Sequence, residues 1–410
     1  MMRSLFSAVS GLRTHQTRMD VIGNNIANVN TPGYKSSRVT FQEVFSQTIR
    51  GAGSPSGTSM TERGGTNPMQ VGLGVSIASI DTIHTPGNLQ PTSRPTDLAI
   101  EGNGFFVVRD GGGYTYTRVG NFSIDGDGIL VDSEGRKVMG WVAGQNGTLP
   151  TNKTAGNLSP LPIRIGTYMD ARATTQMEWI KNLDAEAEVG FVKTASVTVY
   201  DSQGKTYSIQ VDFEKTGTNT WTWQAYLPDG STAGPGTITF NTEGRFVDVD
   251  VAEFSFTPLG ADTVTVTMDF SKLTQVAGDT SVESGSTDGW PGGTLESYSV
   301  DANGVISGFY SNGRNQVLGQ IAIAGFANPA GLIKTGNNLY IESNNSGEAD
   351  IGPAGMSGRG TIAPSALEMS NVDLAEEFTQ MIITQRGFQA NSRVITVSDE
   401  LLQELVNLKR

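Results

Sequence analysis

The chain of 410 residues contains no cysteine and has no run of 18 apolar residues. Disulfide bonds, thiol catalysis and cysteine-ligated metals are therefore excluded, and nothing predicts a membrane-spanning helix. Basic runs are also missing, and the formal net charge is −13. Such a surface repels nucleic-acid phosphates and anionic lipids. We expect neither nucleic acid nor membrane insertion.

Catalytic signatures are equally scarce. No GxSxG, HExxH or Walker A motif occurs. Residues 125–128 (DGDG) resemble the start of a calcium loop, but Ile129 and Arg136 stand where oxygen ligands are needed, and a hairpin turn explains the pattern. Of the two histidines, His15 is expected to pack in a helical seam and His84 to lie at the surface. We predict no enzyme activity, no metal and no cofactor.

Glycine, with 51 residues, and short alternating runs fill the middle of the chain. Runs such as LAIEGNGFFVV, YTYTRVGNFSI and ASVTVYDSQGKTYSIQVDF predict strands separated by glycine turns. A hairpin pattern recurs as FSIDGDGILVD, FNTEGRFVDVD and YSVDANGVISG. Trp221 and Trp223 alternate on one predicted strand face, which indicates core or, alternatively, a sugar-binding platform.

The first thirty residues carry an apolar stripe at helical spacing. With heptad position a at Leu5, the a positions are Leu5, Leu12, Met19 and Ile26, and the d positions are Ala8, His15, Ile22 and Val29. Seven of these eight positions are apolar, which is typical of a coiled-coil seam.

Three asparagines, Asn24, Asn25 and Asn28, fall outside this stripe. We expect their amides to bond across subunits or toward water. The helix should end near Asn30, because a proline disfavours helical geometry in the residue before it. Thr31, Pro32, Gly33 and Tyr34 fit a type II turn that leads into a connector.

The last forty residues form a second amphipathic pattern. Residues 370–373 resemble a capping box, and the apolar positions predict one helix over 371–408, about 57 Å long. Residues repeating every seven positions are Leu374, Met381, Phe388, Ile395 and Leu402; Phe378, Ile382, Val394, Leu401, Leu405 and Leu408 widen the stripe, and Lys409 and Arg410 close it. Two helices alone do not bury stripes this wide, so we expect helix pairing across many subunits; two helices of an ordinary globular core are the alternative.

These patterns predict an α+β multidomain chain with a discontinuous organisation. We expect a terminal helical domain at 1–30 and 371–410, an extended connector at 31–80 and 360–370, a β domain at 81–143 and 290–359, and an inserted β-sandwich or barrel at 144–289. Within the connector, the glycine-rich residues 51–74 are expected to form a loop or an extended segment that is ordered by contacts with other subunits.

Several stretches carry a family resemblance. NNIANVNTPGYK (24–35) resembles the N-terminal signature of bacterial flagellar rod, hook and hook-junction proteins, and the segment 371–410 resembles their C-terminal helix. DLAIEGNGFFVV (97–108), residues 121–141 and residues 308–340 resemble the two halves of the first β domain of the hook and distal rod members. The hook members match best, because distal rod members are expected to lack the large insertion. The resemblance is weakest over 51–74 and 144–290.

The resemblance implies a structural subunit that assembles into a curved tube, transmits motor torque and encloses an export channel. Its partners would be copies of itself, the distal rod protein, the hook cap, the hook–filament junction proteins and the type III export apparatus. The interface would use the helical residues Leu5, Leu12, Met19, Ile22, Ile26, Val29, Leu374, Phe378, Met381, Phe388, Ile395, Leu402 and Leu405.

Location and two alternatives complete the expectations. Arg3, Arg13 and Arg18 interrupt the N-terminal segment, so we expect no cleavable signal peptide. The resemblance implies extracellular placement in the flagellum. A distal rod or other axial flagellar protein is the nearer alternative. A secreted β-rich enzyme or glycan-binding adhesin is the alternative from another class.

Overall fold

The computed structural model describes residues 2–55, 65–144 and 146–408. In this part of the chain, two α-helices stand near the ends: α1, Met2–Ala27, and α2, Leu374–Asn407. Strands and turns make up almost all of the rest, with short 3₁₀ turns at Ala155–Asn157 and Pro329–Gly331. The predicted connector residues 56–64 and the predicted closing pair Lys409 and Arg410 lie outside the described residues.

The chain divides into two compact units. The first unit contains residues 1–163, 299–307 and 317–410, and the second contains residues 164–298 and 308–316. The predicted insertion at 144–289 overlaps the second unit, and its status as an independent domain stays a prediction.

The first unit contains both helices and many short strands. Its strands are Ser37–Glu43, Ser46–Arg50, Met69–Gly72, Val75–Thr82, Leu89–Pro91, Leu98–Glu101, Phe105–Asp110, Gly113–Thr117, Ser123–Ile124, Leu130–Val131, Lys137–Val142, Ser159–Pro160, Ile323–Gly325, Ile333–Gly336, Leu339–Ile341, Asp350–Gly352, Thr361–Pro364 and Ala366–Glu368. Val305–Tyr310 and Asn315–Ile321 belong to it in part. Strand Phe105–Asp110 pairs with Gly113–Thr117 and with Lys137–Val142, both antiparallel, and its first four residues are buried.

Of the two predictions for residues 51–74, the loop is wrong at Met69–Gly72, where the backbone is extended and paired. Met69–Gly72 pairs antiparallel with Ser46–Arg50, and Ser37–Glu43 pairs antiparallel with Val75–Thr82. Glycine is common between these strands, but Met69, Gln70 and Val71 alternate between apolar and polar residues, as in a strand with one covered face. This segment therefore forms hydrogen bonds with Ser46–Arg50. The described connector is therefore a pair of two-stranded ribbons.

The second unit contains two sheets around one shared cluster of buried side chains. The first sheet has the order Val192–Tyr200, Thr206–Gly217, Thr220–Tyr226, Thr232–Phe240 and Phe246–Val249, and every neighbouring pair is antiparallel. The second has the order Glu253–Phe256, Val264–Thr274, Gln176–Asn182 and Glu283–Thr287, with Gln176–Asn182 parallel to Val264–Thr274. Tyr168–Met169 and part of Gly293–Val300 also belong to this unit.

Trp221 and Trp223 belong to this core and are fully buried. The Trp223 indole N–H donates to the carbonyl of Val251 at 2.9 Å. The alternative of a sugar-binding platform on this strand is therefore wrong, because the two rings face the opposing sheet instead of solvent.

The recurring hairpin pattern is a repeated turn. In the three predicted copies, Asp125, Asn241 and Asp301 each accept hydrogen bonds through Oδ1 from the backbone N–H groups two and four residues later. Two further copies begin at Asp132 and Asp201. A glycine with φ between 75° and 82° follows three residues after each of the five. Backbone N–H groups therefore already bond the Asp125 Oδ1 atom that a calcium ion bound by residues 125–128 would need as a ligand.

Candidate assembly site

The two terminal helices pack against each other antiparallel in the first unit. Helix α2 begins at Leu374 because Asp373 caps it, accepting from the N–H groups of Ala375 at 2.8 Å and Glu376 at 3.3 Å. The predicted capping box is therefore wrong in register: Ser370 accepts from the N–H of Val372 and does not cap the helix. At 34 residues, α2 is about 51 Å long.

Small residues form the crossing between the helices. A Cβ atom on Gly11 would stand 2.8 Å from the Asn391 amide nitrogen, and one on Gly387 would stand 2.7 Å from the His15 ring. Side chains larger than hydrogen at these two positions would displace the Asn391 amide and the His15 ring of the other helix. The seam prediction for His15 agrees with this geometry, and its ring also packs edge-on against Phe41.

Hydroxyl side chains complete the buried face of the pair. Thr14, Thr384 and Ser398 are buried, and each donates to a backbone carbonyl four residues earlier in its own helix. The bond satisfies the hydroxyl without a partner from the other helix. Polar groups can therefore lie at a close crossing without an unpaired donor.

The predicted apolar interface residues lie mostly away from this crossing. Buried among the predicted site residues are Ile22, Asn25, Gly33 and Tyr34; half-buried are Leu5, Leu12, Met19, Ile26, Asn28, Val29, Thr31, Pro32, Met381, Ile395 and Leu402; exposed are Asn24, Leu374, Phe378, Phe388 and Leu405. The width of the two apolar stripes predicts that helix pairing across many subunits covers them, with a globular core of two helices as the alternative. Within the chain, the structure pairs the small and polar faces of the helices, which leaves Phe6, Phe378 and Ile382 at least half exposed.

Asn25 corrects the prediction that the asparagines face outward. It is 1% exposed, and its amide nitrogen donates to the Ser37 carbonyl and to Glu377 Oε1, both at 2.8 Å. Its amide oxygen accepts from the Ser37 N–H and the Tyr34 hydroxyl. A side chain with two donors and two acceptors can join α1, the connector and α2 at one point.

Asn24 and Asn28 act locally at the end of α1. The Asn28 amide donates to the carbonyl and the side-chain oxygen of Asn24, both at 2.9 Å, and accepts from Thr31 at 3.1 Å. Because the last carbonyls of a helix lack intrahelical donors, these bonds help to end α1.

The predicted turn after α1 has the expected geometry. Gly33 has φ +68°, and the Tyr34 N–H donates to the Thr31 carbonyl at 3.3 Å. A Cβ on Gly33 would also stand 2.8 Å from the backbone nitrogen of Val119. Glycine is required here both for its backbone conformation and for the close approach of the segment that follows strand Gly113–Thr117.

Directly after this turn lies a fully buried group of charges. Lys35 Nζ stands 2.6 Å from Glu368 Oε1, and Arg118 Nη1 stands 3.3 Å from Glu368 Oε2. Each of the three side chains is at most 2% exposed. We call Lys35, Arg118 and Glu368 the buried charge triad.

Backbone groups complete the triad. Lys35 also donates to the Thr85 carbonyl at 2.8 Å, and Arg118 donates to the Gly102 carbonyl at 2.8 Å. The Gly87 N–H donates to Glu368 at 2.9 Å. The triad therefore ties the outgoing chain after α1 to the returning strand before α2 and to the sheet.

Burial governs the protonation of the groups around the triad. It lowers the pKa of Lys35, against the opposing attraction of Glu368, and it lowers the pKa of Arg118 in the same way. His84 packs edge-on against Phe105 and Tyr340, and burial followed by repulsion from Lys35 lowers its pKa to about 4. The prediction that His84 is a surface residue is wrong, because this ring fills an aromatic cluster.

Sequence reasoning missed the triad and its neighbour Asn371. The Asn371 side chain accepts from the Ser36 N–H at 2.8 Å and donates to the Ile83 carbonyl at 2.9 Å. One feature of the sequence indicated a buried charge: Arg118 directly follows the alternating strand pattern YTYT. Nothing in the sequence paired it with a glutamate 250 residues away.

The described residues lack two kinds of feature, metal-binding clusters and helices fit to span a membrane. Across residues 2–55, 65–144 and 146–408, no group of three or more acidic or histidine side chains is arranged to hold a metal ion. In the same ranges, no helix has the length and apolarity to cross a membrane. The region instead contains the buried charge triad and two helices whose large apolar side chains Phe6, Phe378 and Ile382 are exposed in the described part of the chain.

Four family models match the chain. They are described as flagella basal body rod protein (residues 5–35), flagellar hook protein FlgE/F/G D1 domain (99–171), flagellar basal body protein FlaE D2 domain (140–290) and flagellar basal body rod FlgEFG protein C-terminal (363–408). A solved structure, the flagellar hook protein FlgE2 of Helicobacter pylori, covers 68% of this chain and all of its own, with a TM-score of 0.56 and 18% identity. That likeness concerns the fold, with two terminal helices and a large β-rich body.

Full-length relatives narrow the family. Proteins named flagellar hook protein FlgE are 43% identical in Borreliella burgdorferi and 41% identical in Treponema pallidum, with complete coverage of both chains in each case. A relative in Bacillus subtilis named flagellar basal-body rod protein FlgG is 35% identical, also with complete coverage. The expectation that rod members lack the large insertion, and are therefore much shorter, is wrong for this relative. With hook proteins matched from end to end, the chain belongs to the bacterial flagellar hook protein family.

Proposed function

We propose that this chain is the structural subunit of a flagellar hook and that it polymerises through the outward surfaces of α1 and α2. The observation that carries the proposal is the exposure of large apolar side chains on both helices. Phe6 is 67%, Phe378 50% and Ile382 58% exposed, although the helices already pair with each other. Apolar surface of this extent on paired helices is stabilised when further helices cover it.

In the proposed tube, the helices of many subunits pack side by side and surround the export channel. The half-buried positions Leu5, Leu12, Met19 and Ile26 and their α2 counterparts would then be fully covered in coiled-coil-like contacts. The buried charge triad would hold each helix pair at a fixed orientation to its β domain. Twist applied to the helices would thus reach the outer parts of the subunit.

Bending requires a different kind of contact. The second unit, proposed as an inserted β-sandwich, has nine Lys and Arg against nineteen Asp and Glu, so its net charge is −10 of the total −13. Polar, charged and hydrated surfaces give weak contacts that can slide. We propose that the helices supply stiffness in twist and the second unit supplies compliance in bending. Replacing residues 164–298 by a short Gly/Ser linker should leave tubes that form but are straight or stiff, whereas a complete loss of tubes would contradict this division.

The proposal extends to partners and location. We infer a homopolymer in contact with the distal rod protein, the hook cap and the hook–filament junction proteins, outside the cell and delivered by the type III export apparatus without a cleavable signal. Enzyme activity, cofactors, nucleic acid and membrane insertion have no part in it. The adhesin alternative loses its support with the burial of Trp221 and Trp223.

The assembly test compares two variants of α2. Ile382→Asp puts a charge on an exposed apolar position, and Gln385→Asp puts the same charge on an exposed polar position one turn away. In electron micrographs of concentrated protein, the wild type and Gln385→Asp should form tubes, and Ile382→Asp should not, with unchanged circular dichroism. Tubes of normal length from Ile382→Asp would refute the proposed interface.

Polymer shape separates the hook from the rod. Curved wild-type tubes support the hook assignment, and uniformly straight ones would support a distal rod role, which the full-length rod-named relative keeps as the second candidate.

A further inference from the structure

An arginine-rich aromatic surface interrupts the acidic second unit. Arg314 lies over the Trp290 ring, with 4.3 Å between the guanidinium carbon and the ring centroid, and Arg172 lies 5.2 Å from the same centroid. Tyr168, which is 60% exposed, packs against Gly292, the residue before the neighbouring strand Gly293–Val300. We call Tyr168, Arg172, Trp290 and Arg314 the aromatic–arginine patch.

The patch is held in place by its own hairpin. The Asn312 side chain accepts from the Arg314 N–H at 3.0 Å and donates to the Pro291 carbonyl at 2.8 Å. Arg172 is paired with Asp288 at 3.4 Å, whereas Arg314 has no carboxylate within ion-pair distance among the described residues. Tyr, Trp and Arg dominate the binding energy of protein interfaces, and a preordered guanidinium loses little entropy on pairing.

A complementary surface lies elsewhere on the same unit. Phe246–Val249 is the terminal strand of the five-stranded sheet, and Val247 on it is 59% exposed. Asp248, Asp250 and Glu253 follow on this strand and the next, are exposed, and have no lysine or arginine partner in the described part of the chain. We call Val247, Asp248, Asp250 and Glu253 the acidic edge.

We propose that the aromatic–arginine patch of one copy docks on the acidic edge of the next copy. The two surfaces differ in residues and in charge, so the contact is heterologous. A heterologous contact does not close as a two-fold dimer, and it propagates into an open helical array when its rotation does not close a ring. It rests on the proposed function and adds the residues through which second units recognise each other. In a unit of net charge −10, one localised cationic surface also selects which face of the neighbour is approached.

Crosslinking of assembled full-length protein tests the contact directly, because the chain contains no native cysteine. Asn315→Cys places a thiol beside Arg314, and Val247→Cys places one beside Asp248. Tubes of the double variant, treated with a short bismaleimide, should give a ladder of covalent oligomers on denaturing gels. The single variants, the dilute monomer and the control pair Asn315→Cys with Ser202→Cys should give at least fivefold less.

Charge reversal supplies the second arm in the same crosslinking background. Arg314→Glu should lower the crosslinked fraction at least fivefold, and adding Asp250→Arg should restore at least half of it. The control Lys205→Glu reverses another exposed cation that lies over an aromatic ring of the second unit, 5.0 Å from the centroid of Tyr207. It should leave the ladder unchanged.

The outcomes separate this inference from the proposed function. Three results would each overturn the docking and leave polymerisation unaffected. They are tubes that give no crosslinked ladder above the controls, a loss of crosslinking in Lys205→Glu equal to that in Arg314→Glu, and no recovery of crosslinking when Asp250→Arg is added. Absence of tubes from the wild-type chain would overturn the proposed function and the docking with it.

Discussion

Removing the negative charge from the buried charge triad should destabilise the first unit strongly. Glu368→Gln keeps the shape of the side chain but leaves Lys35 and Arg118 as two buried cations without a carboxylate. Loss of one partner of a buried ion pair typically costs about 3–5 kcal/mol. We expect a loss in that range, because both cations have at most 2% of their surface exposed and neither can reach water.

The chain offers a matched control for this substitution. Lys181 and Glu283 form an ion pair of the same length, 2.6 Å, but both side chains are about half exposed. Exposed pairs contribute about 0–1 kcal/mol, so Glu283→Gln should change stability by less than about 1 kcal/mol. The two substitutions share chemistry and distance and differ in burial.

Hydrogen exchange in increasing urea measures each unit separately in the full-length chain. Peptides from Leu98–Glu101 and Phe105–Asp110 report on the first unit, and peptides from Thr206–Gly217 report on the second. Glu368→Gln should lower the unfolding free energy of the first unit alone. Adding Lys35→Met should recover part of the loss, because one of the two unpaired cations is then removed. Equal small effects of Glu368→Gln and Glu283→Gln would refute the view that burial makes this triad a structural joint.

Three further predictions concern the helices and the aromatic cluster. Leu402→Asp or Ile26→Asp should each block tube formation, because burying the unpaired charge in the tube costs several kcal/mol per subunit. Hydrogen-exchange protection of the β strands should stay normal. Tubes from either variant in electron micrographs would contradict this. Gly387→Ala should displace the His15 ring and lower α1–α2 stability by about 1–3 kcal/mol, read as faster exchange in both helices, whereas Gln385→Ala should not. Because His84 has a pKa of about 4 when folded and about 6.5 when unfolded, the unfolded chain binds more protons between these values. The His84 contribution to the stability of the first unit should therefore be constant above pH 6.5. It should fall by about 1–2 kcal/mol, after solvent screening, as the pH drops to 4. A urea midpoint of the first unit that stays the same from pH 6.5 to 4 would contradict a buried neutral His84.

The sequence was sufficient for features that depend on local chemistry. Pro32 and Gly33 predicted the turn after α1, since the backbone conformations they favour are those of the turn itself. Asp125, Asn241 and Asp301 predicted hairpins, because an Asx side chain bonds backbone groups within four residues. In each case the interacting atoms are close along the chain.

Contacts between distant segments were not accessible in the same way. Apolar periodicity identified surfaces of α1 and α2 but not their partner, because a helix surface carries the same pattern whether it meets its own chain or another copy. Gly11 and Gly387 read only as weak helix formers, although they set the distance between the helices. Lys35 and Glu368 stand 333 positions apart, so no local pattern joins them.

The mismatch between pattern and intramolecular contact itself carries information about assembly. A chain that folded only for its own stability would place its largest apolar side chains at the α1–α2 crossing, where burial contributes about 25 cal/mol per Å². Here Gly11, Thr14, Thr384 and Gly387 occupy that crossing, while Phe378 and Ile382 remain exposed. The small faces bring the helices close at little cost in side-chain entropy, and the apolar faces stay available for other subunits. Stability of the helices should consequently rise with protein concentration, because coverage by neighbouring copies is coupled to folding by mass action.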